Sequence, residues 1–431
     1  MNILVVGDGA REHAILWKLK RDLPKANLYC APGNGGIENV AHCVPISVLD
    51  TDKLLKLAGN KKVDLTIIVD DLAIINGTAD EFRNQGLNTI GPSEQAVRLI
   101  ARKTFTKYLL DKYNVPTAKY KEFKYYRHAI DYIKKYEWPL VIKPDEFSEN
   151  ENTVISDNVE EANYFIKKYL LGKEDEKNKQ KIILEEFLVG QEISVSLFTD
   201  GMTYRVITPV CPYKSIFDGE VGTITEGMGS YAPIAINIKK GTAELIEDTI
   251  IKPLVKGLTL EGIPYRGVLK VGIILTFEGP RVISLKPTFP DPETMVFMPL
   301  LRSNLYDLLA ACQSCKLDSM NVRLKSKFTT NVVISSSGYP GAYNKGKEII
   351  GLNSKFNDNI FIFHHGTNRN RGNYITSRGR VLSIVSLAKT LAESREKAYK
   401  TVKQITFDGA YYRRDIALPT LKLNHQHRKR N

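Results

Sequence analysis

At 431 residues, 43% apolar and 25% charged, the chain holds enough material for two to four domains and a sizeable core, which excludes global disorder. It carries 61 Lys and Arg against 48 Asp and Glu, a net charge of +13, yet acids and bases interleave and no zinc-finger, RRM or similar module is present. Nucleic acid is therefore not the expected partner; anionic small molecules are. The five cysteines (Cys30, Cys43, Cys211, Cys312, Cys315) are odd in number and do not read as a disulfide framework. Cys312-Gln-Ser-Cys315 lies in a helical pattern without the second ligand pair a zinc site needs. No apolar run approaches the roughly 20 residues of a membrane span. Met1–Val6 reads as a strand, without a basic leader segment. A soluble, cytoplasmic protein is expected.

Residues 1–101 alternate strand and helix. Ile3–Val6 is a buried strand, Gly7-Asp-Gly9 opens a helix through Trp17, and Leu28–Cys30 runs into Ala31-Pro-Gly-Asn-Gly-Gly36. Leu65–Val69 is a further strand, followed by a helix near Ala79–Asn84 and a short strand at Thr89-Ile90. This alternation predicts a doubly wound parallel α/β domain with ligands at the carboxyl ends of its strands. Glu12 and His13 stand where a dinucleotide fingerprint needs its third glycine, so the turn suits a phosphate or sugar phosphate better than NAD.

Residues 102–320 read as an α+β unit with a smaller lid portion at about 118–190. A helix at Phe105–Tyr113, a strand Leu140–Lys143 with hairpin partner Val154–Ser156, and a helix Glu160–Leu171 lead into a charged connector starting at Gly172. Strands at Ile182–Leu188 and Ile193–Phe198 precede a glycine-rich loop, Gly219–Gly229, a long helix around 240–260, and strands at 267–276 and 281–285. The polar stretch Lys316–Lys327 leads to a small β-rich domain, 321–420, with strands at Thr330–Ile334, Ile360–Phe363 and Val381–Val385 and a helix Leu391–Thr401. Residues 421–431 form a basic tail.

The chemistry gathers in a few places. Lys107 on a helix and Lys143 at a strand end can neutralise phosphates. The strand Glu185-Glu-Phe-Leu188 can present backbone groups to an adenine, and Glu192 can accept from ribose hydroxyls. Asp291-Pro-Glu293 ends the strand Arg281–Leu285 in an acidic turn. Singly, a strand-end lysine is ordinarily a solvated charge, and His13 reads equally well as a residue fixing a helix start.

Together with Val6–His13, Ala31–Gly36, Gly91-Pro92, Lys103–Lys107, Gly227–Tyr231, Phe289–Thr294, Gly338–Tyr343, Phe363–Thr367 and Arg413–Ile416, these stretches resemble the phosphoribosylamine–glycine ligases (glycinamide ribonucleotide synthetases), ATP-grasp enzymes, from residue 2 to about 417. The resemblance implies an N-terminal α/β domain, an ATP-grasp centre and a small C-terminal domain. The reaction it implies joins glycine to 5-phosphoribosylamine through a glycyl phosphate at the expense of ATP, in purine biosynthesis. It assigns Lys107, Lys143, Glu185, Phe187, Leu188 and Glu192 to the nucleotide. Gly9, Arg11, Glu12, His13, Pro32, Gly33, Asn34, Lys214 and Pro292 fall to the substrates, and Asp291 and Glu293 to catalysis.

The departures from the family pattern are local. Where the family loop after the strand-end lysine reads Asp-Gly-Leu-Ala-Ala-Gly-Lys-Gly-Val, this chain has Asp145-Glu-Phe-Ser-Glu-Asn-Glu-Asn-Thr153, with Glu146, Glu149 and Glu151 where a triphosphate would lie and Asn150 and Asn152 among the lost glycines and lysine. Where the family binds Mg²⁺ through a Glu and an Asn, it has Ser284 and Lys286, so no metal ligand is expected to remain there; Thr288 takes an arginine's place. The family's Gly-Pro-Glu-Ala-Pro-Leu is Asp70-Asp-Leu-Ala-Ile-Ile75, its Gln-Asp-His-Lys-Arg is Cys211-Pro-Tyr-Lys-Ser215, and its Gly-Pro-Asn-Thr-Gly-Gly-Met-Gly is Gly222-Thr-Ile-Thr-Glu-Gly-Met-Gly229. The expectation is a family fold with weakened ATP binding and ligase activity lost or strongly reduced. The alternative is a non-catalytic paralogue that binds nucleotide or sugar phosphate or serves as a partner subunit.

Overall fold

The computed structural model describes residues 1–146, 153–171, 181–234 and 241–421. The expectations for Glu149, Asn150, Glu151 and Asn152, for most of the charged connector and for the basic tail beyond residue 421 fall outside these residues.

The first domain is a five-stranded parallel sheet in the order His42–Cys43, Asn27–Pro32, Asn2–Gly7, Leu65–Ile68, Thr89–Ile90. Its central strand is apolar and fully buried from Ile3 to Val6 because both faces are covered. Ile3 and Val5 pack into one core with the helix Ala10–Asp22, while Leu4 and Val6 pack into another with Leu54, Ile74 and Phe82. The parallel arrangement brings Gly7-Asp8-Gly9, Pro32-Gly33 and Asp70-Asp71 to one edge, the carboxyl ends of the strands.

The lid portion is an antiparallel sheet in the order Tyr120–Phe123, Ile182–Glu186, Leu140–Pro144, Val154–Ser156, backed by the helices Tyr126–Ile133 and Val159–Leu171. The rest of the chain is built on one nine-stranded sheet. Its path runs Gly279–Lys286, Arg266–Thr276, Gln191–Asp200, Tyr204–Phe217, Val221–Ala232, Phe328–Ser336, Arg380–Ala388, Ile360–His364, with Ala410–Tyr411 paired to Phe328–Ser336. The C-terminal strands therefore continue the central sheet across the pairing of Val221–Ala232 with Phe328–Ser336. No described helix is long and apolar enough to cross a membrane.

Within the middle of the long sheet, two long strands differ from the sequence reading. The stretch read as a glycine-rich loop is the strand Val221–Ala232, and its partner Tyr204–Phe217 was not anticipated. Pro209 and Pro212 interrupt the strand pattern in one, and glycines in the other. The glycines are there for close approach: a Cβ on Gly227 (φ +124°) would sit 2.5 Å from Pro292 Cδ, and one on Gly229 would sit 2.7 Å from the Asn331 carbonyl. The long helix spans Thr242–Leu260 with a π turn at Glu247–Ile251, next to Pro253, which has no N–H to give to the ladder.

Candidate functional site

A cleft of about 820 Å³ lies where the N-terminal domain, the lid sheet and the long sheet meet. From the first domain it is lined by Asp8, Gly9, Arg11, Glu12, Pro32, Asp70 and Asp71. Glu12 closes its own helix start, accepting from the Gly9 N–H at 2.9 Å, and also accepts from Arg11 Nε at 3.0 Å. Burial raises the pKa of its carboxyl, with Arg11 pulling the other way. Arg11 reaches across the domain boundary, donating to the Phe289 carbonyl at 3.3 Å and lying 3.6 Å from Asp71.

The two predicted phosphate lysines meet at one carboxylate. Lys143 donates to Glu185 Oε2 at 3.0 Å, and Lys107 Nζ lies 3.3 Å from Glu185 Oε1. Glu185 is buried and its carboxyl is held down: burial opposes the charge, but Lys143 and Lys107 outweigh it. Lys107 also donates to Thr117 Oγ1 at 2.8 Å, and burial brings its pKa down to about 8. Phe187, 38% exposed, and Leu188 border the cleft beyond this cluster, and Glu192 pairs with Lys214 at 2.9 Å.

On the strand Gly279–Lys286, Ser284 and Lys286 both face the cleft. The Ser284 hydroxyl is buried without a hydrogen-bond partner. Lys286 Nζ donates to Asp71 Oδ2 at 2.5 Å, so one departure from the family pattern is bonded to another. Lys270, directly across from Lys286 on the neighbouring strand, has its ammonium 3.2 Å from Glu293. Thr288 donates to the Val69 carbonyl at 3.5 Å. Among the described residues, no group of three or more His, Cys, Asp or Glu could hold a metal ion.

The acidic turn splits in two. Asp291 borders the cleft, where Arg380 grips both its oxygens at 2.6 and 3.1 Å and His365 Nδ1 lies 3.8 Å away. Burial would push Asp291 up, but Arg380, then His365 and Arg11, bring its pKa down to about 2. Glu293 is fully buried at the first turn of the helix Glu293–Leu300 and does not line the cleft.

The C-terminal domain closes the cleft with Tyr339, Tyr343, His365, Arg378 and Arg380, none of them singled out in the sequence. Arg378 pairs with Asp8 at 2.5 Å, and burial raises Asp8 to about 6 against that pull. The family-like stretches Gly338–Tyr343 and Phe363–Thr367 were the available signal for Tyr339, Tyr343 and His365; nothing local marked Arg378 or Arg380.

Sequence profiles of the phosphoribosylglycinamide synthetase N domain, ATP-grasp (A) domain and C domain match residues 1–99, 101–294 and 329–419. The chain belongs to the phosphoribosylglycinamide synthetase family. It is 39% identical to a phosphoribosylamine–glycine ligase of Caldanaerobacter subterraneus, over 97% of this chain and 99% of that one. It is 37% identical to a bifunctional purine biosynthetic protein of Schizosaccharomyces pombe, over 96% of this chain but only 53% of that longer one. A crystal structure of phosphoribosylamine–glycine ligase from Thermotoga maritima matches with a TM-score of 0.83 at 29% identity, covering 97% of this chain and all of that one.

Within this family fold, Gly9, Arg11, Glu12, Pro32, Lys107, Lys143, Glu185, Phe187, Leu188, Glu192, Lys214 and Asp291 come together around the cleft. His13, Gly33, Asn34 and Pro292 do not line it. His13 is buried; its Nδ1 accepts the His364 N–H at 3.1 Å, and burial holds its pKa near 3. Asn34 donates to the carbonyls of Asp8 and His364 and accepts from the Gly36 and Ile37 N–H groups, knitting the first domain to the C-terminal one. Gly33 (φ +77°) leaves no room for a Cβ beside Cys43 Sγ, 2.4 Å away. The carbonyl of Pro292 accepts from Ser230.

Proposed function

We propose that the chain binds ATP in this cleft without depending on Mg²⁺, and that it turns over the family's reaction weakly or not at all. In this reading the adenine lies against Glu185–Leu188, the ribose near Glu192, and the phosphates run toward Lys107 and Lys143. The family reaction would transfer a phosphoryl group from ATP to the glycine carboxylate and then replace phosphate with the amine of 5-phosphoribosylamine. Phosphoryl transfer of this kind ordinarily relies on Mg²⁺ to bridge and orient the phosphate oxygens.

The observation that carries the reading is the donor set at the two positions where the family pattern has its metal ligands. They present a serine hydroxyl and an ammonium bonded to Asp71. Magnesium needs hard oxygen ligands in a near-octahedral arrangement, and Lys286 and Lys270 repel it. The nearby carboxylates are engaged: Asp291 by Arg380, Glu293 by Lys270, Glu192 by Lys214 and Glu185 by Lys107 and Lys143. This set does not fit Mg²⁺. Asp291, held near pKa 2, is a poor proton acceptor at neutral pH and serves to fix the turn. A cytoplasmic location belongs to the same proposal.

A second reading, a working ligase, is favoured by the 39% identity to a ligase along nearly the whole chain. The two are separated by glycine- and phosphoribosylamine-dependent ADP release, alongside thermal-shift binding of ATP with Mg²⁺ or with EDTA. An equal ATP shift in both buffers with no substrate-dependent ADP supports the first reading. Turnover at an ordinary family rate, lost in EDTA, establishes the second.

A further inference from the structure

The acids and bases that interleave along the sequence do not stay mixed in the fold. Around the carboxyl ends of the helices Ala10–Asp22 and Glu293–Leu300, six cations gather: Lys18, Arg21, Arg302, Arg323, Lys325 and Lys327. None of them lines the cleft. Their placement follows from one short pairing. Leu301 and Leu324 form an antiparallel bridge, with the Arg302 N–H donating to the Arg323 carbonyl and the Lys325 N–H to the Leu300 carbonyl, both at 2.8 Å. Val322 and Leu324 pack against the core, so Arg323 and Lys325, one position on from each, point away from it. A tight turn at Ser326, closed by the Lys327 N–H on the Lys325 carbonyl at 2.9 Å, brings Lys327 back beside Lys325.

These cations lack a matching set of acids. Among the described residues, Asp22 is the one carboxylate bonded to any of the six; it holds Lys18 at 2.5 Å and also accepts the Leu305 N–H at 2.8 Å. Lys325 donates to the Pro299 carbonyl at 2.6 Å, Lys18 to the Ser303 carbonyl at 3.0 Å, and Arg21 lies over the Trp17 ring at 5.0 Å. The side chains of Arg302, Arg323 and Lys327 bond to no described residue. Basic side chains at a helix carboxyl end offset its dipole, but each end carries only about half a charge. Two such ends and Asp22 leave roughly four positive charges uncompensated. Lys325, half-buried, feels the crowding: its pKa is lowered by burial and then by Arg21, Lys18, Lys327 and Arg302. Like charges held together this way cost stability, and a bound anion would relieve the repulsion.

We propose that this basic ridge docks the phosphate backbone of a nucleic acid, gripped by charge and not by base sequence. Arginine forks suit phosphate oxygens, and the exposed Arg21, Arg302 and Arg323 supply three. A protein partner would need an apolar anchor at the centre of its interface, and no Leu, Ile, Val, Met or aromatic side chain is exposed in residues 17–25 or 299–328. Trp17, beside the ridge, has its ring taken by Arg21 and by edge contacts with Phe361 and Phe363, so it is not an open platform for a base. The ridge stands apart from the cleft and does not depend on how the cleft is read.

The test is fluorescence anisotropy of a labelled oligo(U) RNA of about 12 nucleotides with the full chain, in about 50 mM and about 200 mM KCl. The variants are Arg302→Gln/Lys327→Gln and Arg21→Gln/Arg323→Gln. Lys400→Gln/Lys403→Gln, two exposed lysines at the end of the helix Leu391–Val402, is the control of equal charge change. With about four phosphates engaged, parent affinity should fall roughly fiftyfold between the two salts. Each ridge pair should weaken binding about tenfold at the lower salt and reduce the salt slope by about 1.4, whereas the control binds like the parent. The melting temperature of Arg302→Gln/Lys327→Gln should stay level or rise, because repulsion is relieved. Parent-like affinity of both ridge pairs, an equal loss in the control, or no RNA binding at the lower salt overturns the proposal. So does a glutamate-rich peptide of equal charge that binds the ridge more tightly than RNA, which assigns it to an acidic protein instead.

Discussion

The Arg380–Asp291 pair offers the sharpest test of how the cleft is held together. Arg380 comes from a C-terminal strand and Asp291 from the turn after the central one, and both are largely buried. Removing one partner of a buried bidentate pair leaves an uncompensated charge and costs about 3–5 kcal/mol. Arg380→Met should therefore lower the stability of the chain by that amount at neutral pH, read as the urea midpoint of the tyrosine and tryptophan fluorescence change. The pH dependence carries a sign. In the parent, Asp291 sits near pKa 2, below its unfolded value, so it contributes stability above about pH 4 that is lost as pH falls toward 2, about 2 kcal/mol in all. Without Arg380, burial dominates and the carboxyl titrates above its unfolded value, so its destabilisation is relieved on acidification. His365 acts in the same direction: burial, and then Arg380, hold it near pKa 3, and losing Arg380 beside an unpaired Asp291 raises it. The deficit of Arg380→Met should thus be largest at about pH 8 and shrink toward about pH 5. A deficit below about 1 kcal/mol at neutral pH, or one that grows on acidification, refutes the reasoning.

Further outcomes follow from the same geometry. Restoring the family pattern with Ser284→Glu and Lys286→Asn should make ATP binding stronger in Mg²⁺ than in EDTA by thermal shift, whereas the parent shows no difference. Because Lys107 titrates near 8, ATP affinity of the parent should fall between about pH 7 and pH 9 by calorimetry, and Glu185→Gln, which removes the group raising that pKa, should move the fall to lower pH. The buried neutral His13 and His365, both near pKa 3 in the folded chain, should make the parent lose stability as pH drops from about 6.5 toward 4, measured as a falling melting temperature. Gly227→Ala should destabilise by more than about 1 kcal/mol in urea unfolding, because its Cβ would overlap Pro292 and its φ is positive.

Much of the cleft was legible because its chemistry follows local rules. Lys143 ends a buried strand and Glu185 sits on the strand beside it, so both had to emerge at one sheet edge near Lys107. The parallel first domain likewise brings Gly9, Arg11 and Pro32 to the carboxyl ends of its strands. What sequence alone did not reveal is pairing across distance. Lys286 and Asp71 are 215 residues apart, each an isolated departure from the family pattern until the fold joins them. Arg380 lies 89 residues from the carboxylate it grips, on a strand whose pattern is ordinary. His13 and Asn34 look ligand-like in their motifs, yet both are spent on joining the first domain to the strand Ile360–His364. Glu293 differs from Asp291 by only two positions, but the helix that begins there turns it inward to Lys270.

The central claim is the proposal that the cleft binds ATP without Mg²⁺, with Ser284 and Lys286 standing where the family pattern has its metal ligands. It is tested most directly by measuring ADP released from ATP with glycine and 5-phosphoribosylamine, in Mg²⁺ and in EDTA, beside ATP binding in the same two buffers. The account predicts matching ATP isotherms in both buffers and no substrate-dependent ADP above background in either. Substrate-dependent ADP release that appears with Mg²⁺ and vanishes with EDTA would contradict it.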